Sequence, residues 1–314
     1  MLVCPHCHVP LERAAVNLTC AACGRQYPID DGIADFAEGS YYDSFNADTD
    51  RLSDHHLEGL ALEVEGSIRR IRDFYAPLIR RSVPTAHRVL DCGCGNGLSV
   101  DELIKEGFDA FGNDVSQLRK WQWRERHHRN KLVVASGMRL PFPDHFFDVV
   151  VSSGVLEHIG VEEWSLPTYT VRAQADRDEQ RGAFLRELAR VTAPSGSIFL
   201  DFPNGAFPVD FWHGDGTPRR NRRSEGFLPT FREVRDLSRA AMPDRRIHAH
   251  APYRRLQFRQ AARHWYGQAF RMPMNAFFRA MTTPPLQWLA STALNPFLVI
   301  EIAPPPPLKS PFRT

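Results

Sequence analysis

The nine residues from Val89 to Gly97 read Val-Leu-Asp-Cys-Gly-Cys-Gly-Asn-Gly, and the interpretation of the whole chain begins there. A short apolar run that ends in an acid predicts a buried parallel strand, and Leu98 to Glu106 predicts a helix after it. Glycines at alternate positions suit a tight loop whose backbone lies close to a ligand. The sequence therefore predicts a ligand-binding loop at the carboxyl end of a strand.

Two segments downstream extend this pattern. Residues 108–113 read as a second strand that ends at Asp114, where an acid can accept from both ribose hydroxyls of an adenosine. The loop Ser136–Asp144 then precedes a strong strand, Phe147 to Ser152. A glycine-rich turn alone is a weak motif. The order of strand, glycine loop, acid, loop and strand indicates a nucleoside-binding α/β domain.

These residues, together with the segment LPFPD…FDVVVSSGVLEHI, resemble class I S-adenosylmethionine-dependent methyltransferases of the type 11-like branch. The resemblance covers roughly residues 85–203. It implies an α/β fold with a doubly wound, mostly parallel, seven-stranded Rossmann-like sheet, and S-adenosylmethionine as cofactor. One departure is Ser136, where the family usually carries an aspartate, and it implies weaker adenine binding. The resemblance assigns cofactor binding to Asp91, Cys92, Gly93, Gly95, Gly97, Asp114, Val115, Ser136, Gly137, Met138 and Ser153.

Four cysteines near the N-terminus form two Cys-x2-Cys pairs, Cys4 with Cys7 and Cys20 with Cys23. Each pair can present two thiolates from one turn, and two turns complete a tetrahedron around zinc. About 40 residues are too few for a core of their own, so we expect the metal to stabilise this ribbon. A closed four-cysteine site predicts a structural role for Zn2+. Such ribbons precede the catalytic domain in some methyltransferases.

The composition is that of a globular protein with one main domain. The 314 residues carry a net charge of +2 and 43% hydrophobic residues. Because no run of about 18 uncharged apolar residues occurs, we expect no transmembrane segment. The N-terminus shows no secretory signal, and paired cysteines of the metal-binding type suit a reducing compartment. We therefore expect a cytoplasmic protein, with peripheral membrane contact left open.

The chain divides into five predicted segments. They are a zinc ribbon (1–36), a linker or lid (37–59), the cofactor-binding core (60–204), an Arg-rich substrate region with closing strands (205–303), and a disordered tail (304–314). Within them, helices are expected at 60–81, 172–191, 230–242 and 261–281. The strand at 297–302 resembles the family's closing antiparallel strand.

His158 is the candidate general base, because it follows the fourth strand and imidazole titrates near neutrality. The alternative is a histidine that only hydrogen-bonds the loop or the cofactor. Glu157 is a second candidate base, or a partner for an arginine. Neither assignment follows from the sequence alone, because a base is defined by its geometry.

Three kinds of function fit the sequence. The first is methyl transfer to a small-molecule or glycan acceptor, anionic or lipid-linked, because residues 205–280 hold fifteen arginines against six acids. The second is methylation of a base in ribosomal or other RNA, which the ribbon and the arginines would suit. Ser152-Ser153-Gly154-Val155 stands where such enzymes carry a base-binding tetrapeptide. The third is a non-catalytic cofactor-binding module, which the intact glycines disfavour.

Overall fold

The structure is a computed structural model, and it describes residues 2–39, 41–46, 48–50, 63–164, 168–213, 218–256 and 265–305. The side chains of residues 265–268 are not described. Several predicted features lie outside these residues: the start of the helix at 60–81, most of the second half of the predicted lid, and residues 306–314 of the predicted tail.

Strands dominate the described chain. They are β1 (Leu11–Arg13), β2 (Asn17–Cys20), β3 (Gln26–Asp30), β4 (Ile33–Asp35), β5 (Arg88–Cys92), β6 (Asp109–Asp114), β7 (Leu132–Val134), β8 (Phe147–Ser153), β9 (Val161–Trp164), β10 (Thr170–Ala173), β11 (Thr192–Pro203), β12 (Val209–Asp210), β13 (Arg219–Arg220), β14 (Arg246–His250) and β15 (Phe297–Ala303).

The helices alternate with these strands through the central part of the chain. They are α1 (Ala76–Ser82), α2 (Leu98–Lys105), α3 (Gln117–Trp123), α4 (Arg177–Val191), α5 (Phe231–Ala241) and α6 (Trp265–Ala280). A π-helical segment, Arg70–Tyr75, leads directly into α1, and helical turns continue back to residue 63. Helix α5 begins with a capping box formed by Thr230 and Glu233, which are spaced as that motif requires. No described helix combines the length and the apolarity that crossing a bilayer requires.

Seven strands form the predicted central sheet, in the order β7-β6-β5-β8-β11-β15-β14. The pairs from β7 to β11 are parallel, and β15 runs antiparallel to both of its neighbours. The register places Ser153 beside Asp201 at the carboxyl ends of β8 and β11. The expectation of a doubly wound, mostly parallel, seven-stranded sheet is confirmed.

Successive residues of the central strands pack on opposite faces of the sheet, as the two-residue period of a strand requires. Leu90 and Val150 join the core that contains Phe184 of α4, whereas Val89 and Val149 join the core that contains Leu78 of α1. Both faces are therefore covered by helices, which explains why the strands read as continuous apolar runs.

The cysteine ribbon continues the central sheet. β4 pairs in parallel with β7, through Ala34 with Val133 and Asp35 with Val134. Strands β3, β2 and β1 follow it by antiparallel pairing, so the sheet reaches eleven strands in the described chain. An open edge strand exposes unpaired amides, and the ribbon covers this edge. The sequence analysis placed the ribbon before the core without this connection.

The predicted helix at 172–191 is wrong in its first turn. Thr170–Ala173 forms β10, which pairs with β9 through Val171 and Glu163. The helix begins only at Arg177. The β-branched residues Thr170 and Val171 favour extended backbone, and the hairpin gives their amides partners that a frayed helix start would lack.

Candidate active site

A cavity of about 1530 Å³ lies at the carboxyl ends of β5, β6 and β8. Its wall includes Cys92 and Ser153 at two of these strand ends, and Asp114 at a third. In open α/β sheets, ligands bind at this edge. The volume exceeds that of a typical single-ligand site, so there is room for a nucleoside cofactor and an acceptor together.

The glycine loop after β5 is held against β6 by backbone hydrogen bonds. The amides of Gly93 and Cys94 both donate to the carbonyl oxygen of Asn113, at 2.9 Å each. Gly93 has φ +82°, and a Cβ there would lie 2.3 Å from Cγ2 of Val155. Gly93 and Gly95 line the cavity, as expected for a loop that approaches a ligand.

Gly97 serves a different purpose from the other two loop glycines. It is not among the residues that line the cavity. A Cβ at Gly97 would lie 2.8 Å from Leu132 and 3.1 Å from Trp123. Its residue type is therefore explained by packing beneath α2, and the structure does not bring it to the predicted cofactor site.

Asp91 lies beneath the cavity wall rather than in it. Its side chain is fully buried, and Oδ2 lies 3.4 Å from Nη2 of Arg70. Oδ1 has no hydrogen-bond partner among the described residues. Burial raises the pKa of this carboxyl, although the charge of Arg70 opposes the shift. This buried carboxyl oxygen lies next to the glycine loop and can accept one further hydrogen bond.

Asp114 lines the cavity, and its carboxylate already accepts three backbone amides. Oδ2 accepts from Gly95 at 2.9 Å, and Oδ1 accepts from Val115 at 2.8 Å and Ser116 at 3.1 Å. Each carboxylate oxygen offers about two acceptor positions, so Oδ2 keeps one for a further donor. Burial raises the pKa of Asp114, and the three amides oppose that shift. Asp114, which is predicted to accept hydrogen bonds from the ribose hydroxyls, therefore also holds the glycine loop in place.

The loop after β7 forms another part of the wall, and Ser136, Gly137 and Met138 all line the cavity. Oγ of Ser136 accepts from the amide of Met138 at 3.2 Å, which shapes the turn. A Cβ at Gly137 would lie 2.6 Å from the ring of Phe184. Glycine at position 137 is thus required by the close approach of α4. Val115 lines the cavity next to Asp114.

A buried charged group closes the base of the cavity at Ser153. Arg255 donates to Asp201 at 2.6 and 2.8 Å and to Oγ of Ser153 at 2.7 Å. Arg70 donates to the same Oγ at 3.1 Å, and Tyr75 donates to Asp201. Burial alone would raise the pKa of Asp201, but Arg255 outweighs it and the pKa is lowered.

The sequence analysis did not identify Arg70 or Arg255, although both line the cavity. Arg255 belongs to the Arg-rich segment, which gave the only sequence signal for it. Arg70 lies in the helical segment before β5, where its neighbours read as core residues. Their roles depend on contacts across 21 to 102 positions of sequence.

His158 lines the cavity and follows Val155 in the chain after β8. In the sheet, β8 is two strands away from β6, the strand that ends at Asp114. Its Nδ1 lies 2.5 Å from Oε1 of Glu163, and Tyr169 donates to Oε2 of the same carboxylate at 2.6 Å. Burial lowers the pKa of His158, but the hydrogen bond to Glu163 and the charge of Glu157 raise it, and the net shift is upward. Since Glu163 holds Nδ1, the ring presents Nε2 as its free nitrogen.

Glu157 does not line the cavity. Its side chain is 1% exposed, and Oε2 has no hydrogen-bond partner in the described chain. Oε1 lies 3.9 Å from Nε2 of His213. His213 is oriented by Asp210, whose Oδ2 lies 3.1 Å from Nδ1. The structure thus brings together Glu157, His158 and His213 across more than 50 positions.

The ribbon holds its four cysteines together as predicted. The sulfur atoms of Cys4, Cys7, Cys20 and Cys23 all lie within 4.8 Å of one another, and none forms a disulfide. Cys4 and Cys23 sulfurs are 3.8 Å apart, close to the separation of two thiolates on one tetrahedral zinc. Four thiolates from two turns fit a structural Zn2+, and their side chains would supply all four ligands.

A short segment after the ribbon reaches the cavity wall. The amide of Tyr42 donates to the carbonyl oxygen of Val115 at 2.9 Å. Asp43 accepts from the hydroxyl of Ser116 and from the amide of Leu118. Tyr42, which is 68% exposed, and Asp43 both line the cavity. Nothing in the local sequence marks these residues, because their partners are more than 70 positions away.

Known protein families match two separate parts of the chain, the central sheet and the N-terminal ribbon. Residues 90–200 match the family described as "Methyltransferase domain", and residues 1–32 match "Trm112p-like protein". The central part of this chain is a methyltransferase domain. The resemblance to S-adenosylmethionine-dependent methyltransferases with an N-terminal zinc ribbon is confirmed, and the cofactors of this family, S-adenosylmethionine and structural zinc, fit the residues described above.

Curated relatives cover the same region. A Mycobacterium tuberculosis protein named "Probable S-adenosylmethionine-dependent methyltransferase" is 31% identical over 43% of this chain and 41% of its own length. A demethylmenaquinone methyltransferase of Corynebacterium efficiens is 33% identical over 41% of this chain and 48% of its own. The chain thus spans less than half the length of these relatives.

Solved structures also match the chain, at low identity and with TM-scores below 0.5. A TehB-like S-adenosylmethionine-dependent methyltransferase of Corynebacterium glutamicum has 15% identity and a TM-score of 0.43, over 78% of this chain and 99% of that one. A complex containing the Haloferax volcanii Trm112 methyltransferase activator has 16% identity and a TM-score of 0.46, over 81% and 98%.

Proposed function

We propose that this protein transfers the methyl group of S-adenosylmethionine to a small-molecule or glycan acceptor with an anionic part. One observation supports this above all others. A single cavity is lined by the glycine loop, Asp114 and Ser136 and also by His158, with Arg271 in its wall as well. The cofactor and the acceptor can therefore share one cavity.

The residues around the glycine loop suit the cofactor. When bound, S-adenosylmethionine supplies an electrophilic methyl group, and the protein supplies position and orientation. Oδ2 of Asp114 can accept from a ribose hydroxyl, and the unpaired Oδ1 of Asp91 suits an ammonium group. Arg70 can bind a carboxylate beside that loop. The proposed site residues thus include Arg70 in addition to those expected from the sequence.

His158 is proposed as the residue that activates the acceptor. Glu163 fixes Nδ1, so Nε2 is the nitrogen that can take a proton from a hydroxyl or an amine in the cavity. Glu157 is buried behind His158 and does not line the cavity, so we assign it to the support of His158 and not to proton transfer with the acceptor.

The remaining wall suits an acceptor with an apolar part. Phe207, Phe211, Trp212, Phe270 and Met274 line the cavity together with Arg271. Apolar walls with a few placed charges are typical of small-molecule sites. The names of the Corynebacterium relatives also describe a small-molecule acceptor, demethylmenaquinone. We therefore favour an acceptor that combines an apolar and an anionic part, which includes lipid-linked glycans.

RNA methylation is the second candidate, because residues 1–32 match the Trm112p-like family. The Arg-rich segment supports it less than its composition suggests. Arg219 is paired with Asp210 and Glu225, and Arg255 with Asp201, so these charges are already neutralised. We also propose a cytoplasmic location, since a reducing compartment keeps the ribbon thiolates free for zinc. Exposed Phe270 and Met272 on α6 leave peripheral membrane contact as a prediction.

Incubation with methyl-labelled S-adenosylmethionine and fractionated cell extract tests the proposal. We expect label in the small-molecule or lipid fraction, and loss of that label in His158→Gln. Glu125→Gln, an exposed substitution away from the cavity, is the control and should transfer label as the wild type does. Label in RNA that persists after small molecules are removed would favour the second candidate. No label in any fraction would contradict both.

A further inference from the structure

Glu157, His158 and His213, here called the Glu-His-His cluster, place three metal-ligating groups side by side. One ligand atom from each lies within 4.8 Å of the other two. Three ligands of a tetrahedral cation lie about 3.4 Å from one another, because nitrogen and oxygen ligands bind at about 2.1 Å. Closing the cluster around a cation therefore brings any two of its ligand atoms together by at most about 1.4 Å.

Both imidazoles are oriented in the way that metal-ligating histidines usually are. Nδ1 of His158 is bonded to Glu163, and Nδ1 of His213 lies 3.1 Å from Asp210. A carboxylate on Nδ1 fixes the proton there and leaves the lone pair of Nε2 available. The two carboxylates are held in turn, Glu163 by Tyr169 and Asp210 by Arg219. Such a second layer of hydrogen bonds is typical of built metal sites.

The carboxylate of Glu157 is the independent observation that points to a missing ligand. Oε2 is buried and has no hydrogen-bond partner in the described chain, although Glu157 is only 1% exposed. A buried charged oxygen without a partner is costly, and a metal ion is one of the few groups that compensate it. Oε1 faces Nε2 of His213 at 3.9 Å, so the carboxylate is directed at the cluster.

The charges around the Glu-His-His cluster also favour a bound cation. The described side chains of this network include four carboxylates, Glu157, Glu163, Asp210 and Glu225. Two guanidinium groups oppose them, Arg219 on Asp210 and Glu225, and Arg181, which donates to the backbone oxygen of Glu157. The described carboxylates of this network therefore outnumber its guanidinium groups, which favours a cation at the cluster.

We propose that the Glu-His-His cluster binds a divalent transition-metal cation that holds an oxygen of the methyl acceptor. Two imidazoles and one carboxylate suit zinc, iron, cobalt or manganese, and three protein ligands leave positions open. His158 lines the cavity, so the open side faces the acceptor. This inference rests on the proposed function for the acceptor, and it replaces direct proton transfer to Nε2 of His158 by activation of the acceptor through the cation.

The chemistry narrows the acceptor to an oxygen ligand such as a hydroxyl or an enol. The cation lowers the pKa of the hydroxyl that it binds, so the proton leaves to water. The oxygen then forms a bond to the methyl carbon, the carbon–sulfur bond breaks, and its electron pair returns to sulfur as a neutral thioether. No oxidant or reductant is needed.

Cobalt binding to protein that carries only one zinc per chain, the zinc of the four-cysteine ribbon, tests the site without reference to activity. Zinc is held more tightly than cobalt by comparable ligands, so Co2+ is not expected to displace it from the ribbon. We expect one Co2+ per chain in calorimetry, with visible absorption and no thiolate-to-metal charge-transfer band. No uptake beyond the ribbon, or a spectrum with thiolate bands, would overturn the proposal.

Variants locate the bound Co2+. Glu157→Gln and His213→Gln should each weaken Co2+ binding at least tenfold, and Asp210→Asn about 10–100-fold through the orientation of His213. His128→Gln is the matched control, because His128 also bonds a carboxylate, Asp101 at 2.7 Å, and should leave Co2+ binding unchanged. Equal Co2+ affinity in all four variants would overturn the site. Circular dichroism checks folding, and wild-type stoichiometry decides the test if a variant unfolds.

The outcomes separate this inference from the proposed function. Methyl transfer by a protein that takes up no Co2+ would leave the proposed function standing and overturn the metal site. One Co2+ at the cluster in a protein that does not bind S-adenosylmethionine would support the site and contradict the proposed function.

Discussion

The amide of Tyr42 donates to the carbonyl oxygen of Val115 at 2.9 Å, which ties the segment after the cysteine ribbon to the acid of the cofactor loop. Asp43 adds hydrogen bonds to Ser116 and Leu118, and Asp35 of β4 accepts from Tyr41 and Lys120. The ribbon is therefore joined to the cofactor side of the cavity by backbone pairing and by side chains.

This connection predicts that Asp43→Ala weakens S-adenosylmethionine binding about 5–30-fold, because two hydrogen bonds that position Ser116 and Leu118 are lost. Calorimetry on the purified variant measures it. Asp48→Ala, an exposed position in the same segment, is the control and should bind like the wild type. Equal affinities of the two variants would show that the segment does not shape the site.

Removal of zinc from the ribbon should also weaken cofactor binding, because the ribbon is joined to the cofactor side of the cavity. The metal stabilises a ribbon that is too small to fold on its own core, and β4 of that ribbon pairs with β7. We expect chelation to release about one zinc per chain, to lower the melting temperature and to weaken cofactor binding together. Zinc content by atomic absorption and melting by calorimetry check this. A zinc-free protein with unchanged melting and affinity would be the contrary result.

Gly93→Ala should lower stability and abolish cofactor binding, because the added Cβ lies 2.3 Å from Val155 and φ is +82°. We expect a loss of about 2–4 kcal/mol in the free energy of unfolding. Gly107→Ala is the matched control: its φ is +92° but nothing lies within 4 Å of the new Cβ, so only the backbone cost of about 1 kcal/mol applies. Similar losses in both variants would refute the steric explanation.

Arg255→Met should cost about 3–5 kcal/mol in the free energy of unfolding, because Asp201 would keep a buried charge without its cation. Denaturant titration measures this loss. Arg239→Met, an exposed change on α5, should stay within about 0.5 kcal/mol.

The ion pair of Arg255 with Asp201 also predicts that the stability of the protein depends on pH. The pKa of Asp201 is lowered in the folded protein, so its contribution to stability is present above the ordinary aspartate pKa. That contribution should be lost as the pH falls through the lowered folded-state pKa. In Arg255→Met this acid-dependent part of the unfolding free energy should shrink, and an unchanged pH profile would contradict the assignment.

The sequence predicted the central sheet well because its pattern is local. Apolar runs that end at Asp91, Asp114 and Ser153 mark buried parallel strands, and positive-φ glycines mark the loop between the first strand and its helix. The capping box of Thr230 and Glu233 was likewise readable over four residues. In each case the physical cause lies within one element.

The rest of the site depends on long-range contacts that no local pattern shows. His213 meets Glu157 across 56 positions, and Arg255 meets Ser153 across 102. The hairpin of β9 and β10 was missed because charged residues on both strands resemble a solvated helix face. The ribbon's place at the sheet edge was missed since pairing of β4 with β7 joins segments about 100 positions apart.

Calorimetric titration of S-adenosylmethionine into the wild type and Asp114→Asn tests the central claim, that this cavity holds the cofactor. The asparagine keeps an oxygen for the loop amides and removes the charge beside the proposed ribose position. We expect one molecule bound per wild-type chain and at least tenfold weaker binding to the variant, with Glu125→Gln unchanged. Absence of binding to the folded wild type, or equal affinity in Asp114→Asn, would contradict the account.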